Sequence, residues 1–106
     1  MCVNTQMLKG LVDYIILKIL YSHQYYGYQI LNEIRKLEVE ISDSTLYIAL
    51  DRFYKKEMLD KFLEDSPIGP KRKVYFITKN GKEELKRLEK DYLILVEFIK
   101  KVSLLK

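Results

Sequence analysis

SDSTLYIALDRFYKKEML, Ser42 to Leu59, is the stretch that decides how the chain is read. Leu46, Leu50 and Phe53 recur at helical spacing and give one apolar stripe for a core to cover. Ser44, Thr45, Ile48, Asp51, Arg52 and Lys55 fall on the opposite face, with hydroxyls where the helix begins and cations further along. Either Ser42 or Asp43 can cap this helix by accepting a backbone N–H two or three residues on. Such a face is either solvated surface or a reading head. Helical spacing taken alone favours solvated surface with an N-cap serine.

The residues upstream supply two more helices. Leu8, Leu11, Val12, Ile15, Ile16, Ile19 and Leu20 step by three and four, an amphipathic helix with a wide apolar face that ends near Ser22. Gly27 punctuates the following SHQYYGYQ segment, and a second helix carries Ile30, Leu31, Ile34 and Leu37 on one face. A short extended piece, Val39 to Ile41, leads into the quoted helix. Downstream, Leu59 to Asp65 and Lys73 to Thr78 read as strands, the second rich in β-branched and aromatic residues. The SPIGPKR segment between them is a loop, fixed by its prolines and glycine. Thr78 then caps a long helix that starts at about Lys79. This order predicts a mainly α fold with a small β-hairpin: a winged helix-turn-helix over residues 1–78. A C-terminal helix over 79–106 completes one compact unit.

The bulk numbers agree with one folded domain. The chain has 106 residues, 48% hydrophobic and 32% charged, with four Gly and two Pro. A net charge of +4 permits a polyanionic partner without requiring one. Cys2 has no second cysteine to pair with, and His23 is the single histidine, so neither metal ligation nor general-base chemistry has support in the sequence. There is no nucleophile elbow and no phosphate-cradling glycine loop. The chain is expected to be no enzyme and to need no cofactor. Lys9, Asp13 and Lys18 interrupt the apolar N-terminal run, which argues against a spanning or signal segment and points to a cytoplasmic protein with no membrane partner.

Three motifs carry a resemblance. YGYQI at Tyr26–Ile30, S-x-S-T-L-Y-I-A-L-x-R-F at Ser42–Phe53, and P-K-R-K-V-Y-F-I-T-K-N-G-K-E-E-L at Pro70–Leu85 closely resemble the PadR-like transcriptional regulators, in order and spacing from about Lys9 to Leu88. The short length and single C-terminal helix resemble that family's compact subclass. The chain departs from the pattern at Ile48, where the family usually has proline, and at Glu57, where a glycine commonly ends the third helix. A non-glycine residue in a left-handed C-terminal position costs on the order of 1 kcal/mol, so the third helix is expected to end differently here.

The resemblance makes the helix after Ser42 a recognition helix for double-stranded DNA, entering the major groove N-terminus first. Ser42, Ser44, Thr45 and Tyr47 stand at or beside the contact positions, their hydroxyls suited to phosphate or base edges, while Arg52 and Lys55 are expected to hold the flanking backbone. Lys71, Arg72 and Lys73 read as a wing gripping phosphate, with Lys71 and Lys73 on one side of the strand and Arg72 on the other. Their alternative use is solubility and protection of a strand edge. The Tyr25, Tyr26 and Tyr28 cluster is expected to be mainly structural, with a phosphate hydrogen bond from Tyr28 or Tyr26.

The last helix carries Leu85, Leu88, Tyr92, Leu95, Ile99 and Val102 at alternating steps of three and four, an a/d seam. Leu93, Ile94, Val96 and Phe98 add apolar surface that one small domain cannot cover. The expected partner is a second copy of the chain, with Leu88, Tyr92, Leu95, Ile99 and Val102 at the two-fold interface. The resemblance implies a repressor relieved by a small aromatic or hydrophobic effector. The subclass pockets for such drugs rely on tryptophan, which this chain lacks, leaving Tyr92 and Phe98 as the aromatic candidates. Two other readings stay open at this point: a winged-helix module for protein–protein contact, and a small-molecule sensor without its own specific DNA binding.

Overall fold

A computed structural model describes residues 10–106. Leu8 and Lys9, at the start of the first apolar periodicity, and Cys2 lie outside the described residues. In chain order the elements are α1 (Leu11–Ser22), β1 (Tyr25–Tyr26), α2 (Gly27–Lys36), α3 (Asp43–Lys55), β2 (Leu59–Glu64), β3 (Arg72–Ile77) and α4 (Lys79–Ser103). This is a mainly helical winged helix-turn-helix with a long C-terminal helix. The sheet is antiparallel and three-stranded, in the order β1-β3-β2. Its third strand was not foreseen from periodicity: Tyr25 pairs with Tyr75 and Tyr26 with Val74, which fixes the start of α2 against the wing.

The core forms where the apolar stripes of the first three helices meet. Ile16 and Leu17 of α1, Ile30 and Ile34 of α2, and Leu46, Leu50 and Phe53 of α3 are all buried, and Leu59, Tyr75 and Leu85 close the cluster from the sheet and α4. Leu37 does not join it. The α2 helix stops at Lys36 and Glu38 takes a left-handed φ of 60°, so the helical period lapses and Leu37 turns out to solvent, 57% exposed. Val39 is buried in its stead.

The end of α3 also departs from expectation. Glu57 keeps the left-handed turn, with φ 60°, and the helix closes as a Schellman motif: Glu57 N–H donates to Tyr54 O at 3.0 Å and Met58 N–H to Phe53 O at 3.0 Å. Thr78 clamps the strained turn. Its hydroxyl donates to Glu57 O at 2.7 Å and accepts from Gly81 N–H at 3.1 Å, and its own N–H donates to Met58 O at 3.1 Å. One threonine thus caps α4 and offsets part of the cost of a glutamate in a glycine's conformation. Gly81 is required by the same contact, since a Cβ there would collide with the Met58 carbonyl. The turn after α3 and the root of the wing are fastened at one point.

The first half of α4 packs on α1. Tyr14 Oη donates to Glu89 Oε2 at 2.7 Å, Lys18 Nζ donates to the same oxygen at 3.1 Å, and the Tyr14 and Tyr92 rings meet at 5.6 Å. The Tyr14 bond holds the Glu89 carboxyl below its ordinary range, helped by Lys18, and the same bond raises the Tyr14 phenol. Tyr92 Oη donates to Gly10 O, and Leu88 packs against the core. Leu88 and Tyr92, expected at the two-fold interface, thus make contacts within their own chain. Beyond Tyr92 the helix runs clear of α1, and its large apolar side chains from Leu93 onward are exposed.

Candidate nucleic-acid interface

The α3 N-terminus is built by Ser42. Its Oγ accepts the Thr45 N–H at 3.1 Å and lies within hydrogen-bonding distance of Thr45 Oγ1 at 2.8 Å and Ser44 Oγ at 3.2 Å. All three of these side chains are exposed, and their hydroxyls cluster at the first turn. Tyr47 and Ile48 continue this surface, both exposed, while Leu46, Ala49 and Leu50 face the core.

Tyr47 owes its position to Gly27. A Cβ at Gly27 would stand 2.6 Å from Tyr47 Cε1 and 2.7 Å from its Oη, so only glycine lets this ring lie across the start of α2. Around it, Tyr26 and Tyr28 stack at 5.9 Å, and the Arg72 guanidinium lies 5.0 Å above the Tyr26 ring. Tyr26, Tyr28 and Tyr47 join Lys71, Arg72, Lys73 and Tyr75 around one open cleft of about 300 Å³. The start of α2, the outer face of α3 and the wing converge there. Aromatic faces, phenolic hydroxyls and cations share one surface, which is the chemistry a sugar–phosphate backbone and base edges require.

Of the residues singled out in the sequence, Tyr28, Tyr47, Lys71, Arg72 and Lys73 line this cleft together. Ser42, Ser44 and Thr45 stand beside it at the head of α3. Arg52 does not belong to it. Its guanidinium is bidentate to Asp13 of α1, at 2.5 Å to Oδ1 and 3.1 Å to Oδ2, and that bond raises its pKa further. Arg52 thus fastens α3 to α1, a correction to its expected place on the flanking backbone. Lys55, at the far end of α3, is exposed and paired with Asp51 at 3.0 Å. The wing cations also differ from a simple alternation. The β3 strand begins at Arg72, so Lys71 belongs to the loop, 3.8 Å from Asp65, and only Arg72 and Lys73 follow the pleat. Sequence reasoning missed Gly27 and Tyr75 as parts of this surface, since what joins them is the two-residue strand β1.

A second open feature runs along α4, a groove of about 660 Å³ lined by Leu93, Ile94 and Phe98 together with the charged Lys86, Glu89, Lys90, Glu97 and Lys101. Phe98 lines it; Tyr92, the other aromatic candidate for an effector site, is held by Gly10 and Tyr14 instead. Among the described residues no helix is long and apolar enough to cross a membrane.

This architecture has close counterparts. An uncharacterized protein of Lysinibacillus sphaericus is 35% identical over 100 residues, covering 92% of each chain. The crystal structure of a PadR-like transcriptional regulator from Bacillus cereus superposes with a TM-score of 0.84 at 29% identity, over 96% of this chain and all of that one (100%). A PadR family transcription regulator from Clostridium difficile gives a TM-score of 0.80 at 25% identity, over 86% of this chain and 96% of the other. Residues 16–94, from α1 to the middle of α4, match the transcriptional regulator PadR-like family. With the cleft between α3 and the wing intact and the family match spanning every element that builds it, the chain belongs to the PadR-like family of DNA-binding transcriptional regulators.

Proposed function

We propose that the chain binds a specific DNA operator as a homodimer and represses transcription until a small aromatic or hydrophobic effector releases it. The observation that carries this reading is the convergence of Tyr28, Tyr47 and the cations Lys71, Arg72 and Lys73 on one cleft beside the capped head of α3. In this reading Ser44, Thr45 and Tyr47 meet base edges and phosphate, with Ser42 holding the helix end that presents them. Lys71, Arg72 and Lys73 grip the backbone as a wing, Tyr28 adds a phosphate hydrogen bond, and Lys55 reaches the flanking strand. Arg52 positions α3 through Asp13.

The dimer follows from the distal half of α4. Leu95, Ile99 and Val102 are 47%, 55% and 46% exposed, on a helix with further apolar side chains on its other sides. Exposed apolar surface of this extent marks an association site, and a two-fold axis satisfies it with one interface. Residues 79–106 then join two copies of the DNA-binding part, residues 1–78. The two-fold axis sets a pair of recognition helices for half-sites about 34–36 Å apart.

The test is selection of duplexes from a random pool by the purified chain, followed by fluorescence anisotropy at several salt concentrations. Sequence-specific binding is expected, with log affinity falling linearly in log salt. Binding that ignores salt, or no preference over scrambled duplex, would favour a module for protein contact.

A further inference from the structure

Among the polar side chains at the head of α3 stands one that they do not explain. Ile48 is 68% exposed. Helical spacing places it on the outward stripe with Ser44 and beside Tyr47, away from the buried Leu46, Leu50 and Phe53. It therefore adds nothing to the core. A β-branched residue is also a weaker helix former than alanine or lysine, so helix propensity does not account for it either.

Isoleucine carries no side-chain hydrogen-bonding group and cannot read the donors and acceptors on base edges. The major groove offers one apolar feature, the C5 methyl of thymine. We propose that Ile48 is a specificity-determining residue that packs on a thymine methyl in each operator half-site. This rests on the DNA-binding reading above and says which base one position of the recognition helix demands. The surroundings fit. Ser44 lies one turn nearer the helix N-terminus and Tyr47 is adjacent, so hydrogen-bonding groups flank the apolar contact. Asp51, one turn further on, pairs with Lys55 at 3.0 Å. Contact between Ile48 and the methyl takes both out of water, and cytosine at the same step leaves the isoleucine facing a polar edge.

The test begins with an operator selected from random duplex by the full chain. Each thymine is then replaced by deoxyuridine, which keeps every hydrogen-bonding group and removes only the methyl. Burial of one methyl sets the expected loss at about fourfold for one half-site, and about fifteenfold when both half-sites are replaced. The same scan is run on Ile48→Ala, which shortens an exposed side chain on a helix that alanine favours, and whose folding is verified by circular dichroism. In that variant the penalty at the sensitive step is expected to vanish. The proposal is overturned if no thymine of a specific operator is sensitive, or if the sensitive step keeps its full penalty in Ile48→Ala. A chain that selects no duplex at all overturns the DNA-binding reading and this proposal with it. A specific site with no methyl penalty overturns this proposal only.

Discussion

Two open surfaces among the described residues differ in chemistry. The cleft between α3 and the wing is lined by phenols and cations, with its helix head capped by Ser42. The distal half of α4 exposes Leu93, Ile94, Leu95 and Phe98, with lysines and glutamates interspersed. The first suits a hydrated polyanion, whose counterions and water it can replace one phosphate at a time. The second suits a dry contact with a matching apolar surface. Two arginines sharpen the contrast. Arg52 is held by Asp13 and serves the fold, whereas Arg72 lies over the Tyr26 ring at the cleft, its Nε donating to the Ser66 hydroxyl. A basic residue on α3 is not by that fact a DNA contact.

The largest expected effect breaks the apolar surface. Leu95→Asp with Ile99→Asp places charge on the surface proposed to join two α4 helices, and burying unpaired charge is costly enough to prevent association. Both positions are about half exposed in the single chain, so the variant is expected to stay folded by circular dichroism and become monomeric by light scattering. Operator affinity is expected to fall on the order of a hundredfold or more, since the variant keeps one half-site and only its share of discrimination. A folded dimer with normal affinity would remove α4 from the interface.

The polar surface is tested next by Lys71→Gln with Arg72→Gln. Binding is expected to weaken about equally for all sequences, and the salt slope to fall by roughly one unit for each phosphate that the wing no longer neutralises. An unchanged slope would detach the wing from DNA. A smaller effect is expected for Gly27→Ala. The new methyl meets the far end of the Tyr47 ring, which can swing away, so thermal stability should change by about 2 °C or less. Operator affinity should fall roughly three- to tenfold as Tyr47 leaves the cleft, on the scale of a single hydrogen bond. Retained affinity would mean that Tyr47 does not touch DNA there.

The smallest effect concerns the half of α4 that packs on its own chain. Tyr14 and Lys18 hold the Glu89 carboxyl below its ordinary range. A carboxyl depressed in the folded state adds stability above its unfolded pKa, and that stability is lost as pH falls through the folded value. Urea unfolding of Glu89→Gln should therefore show a slightly flatter loss of stability on acidification below the ordinary carboxylate range than the parent chain does. Identical pH profiles would show that this network contributes nothing measurable.

The sequence made most of the fold legible because helical periods and caps are local chemistry. Leu46, Leu50 and Phe53 announce α3, Thr78 announces where α4 begins, and the start of α3 is legible to within Ser42 or Asp43, of which Ser42 is the cap. What stayed hidden depends on distant partners. Two residues are too few to show strand periodicity, so β1 appears only once Tyr25 finds Tyr75. Asp13 and Arg52 are 39 residues apart, and neither helix signals the pairing. The a/d steps of α4 run unbroken through Tyr92 and Leu95, yet Tyr92 packs on Tyr14 of α1 while Leu95 is half exposed, a difference that the steps themselves do not carry. Glu57 was legible as a departure but not in its outcome, since the clamp that tolerates it comes from Thr78.

The most direct test of a polar reading surface organised by an apolar dimer surface is the stoichiometry and affinity of the complex on a selected operator. Analytical ultracentrifugation of labelled duplex, carrying either the whole operator or one half-site, measures both. Two chains per whole operator are expected, with half-sites about one helical turn apart and affinity for a single half-site lower by on the order of a hundredfold. One chain per operator, bound as tightly to a half-site as to the whole, would contradict it.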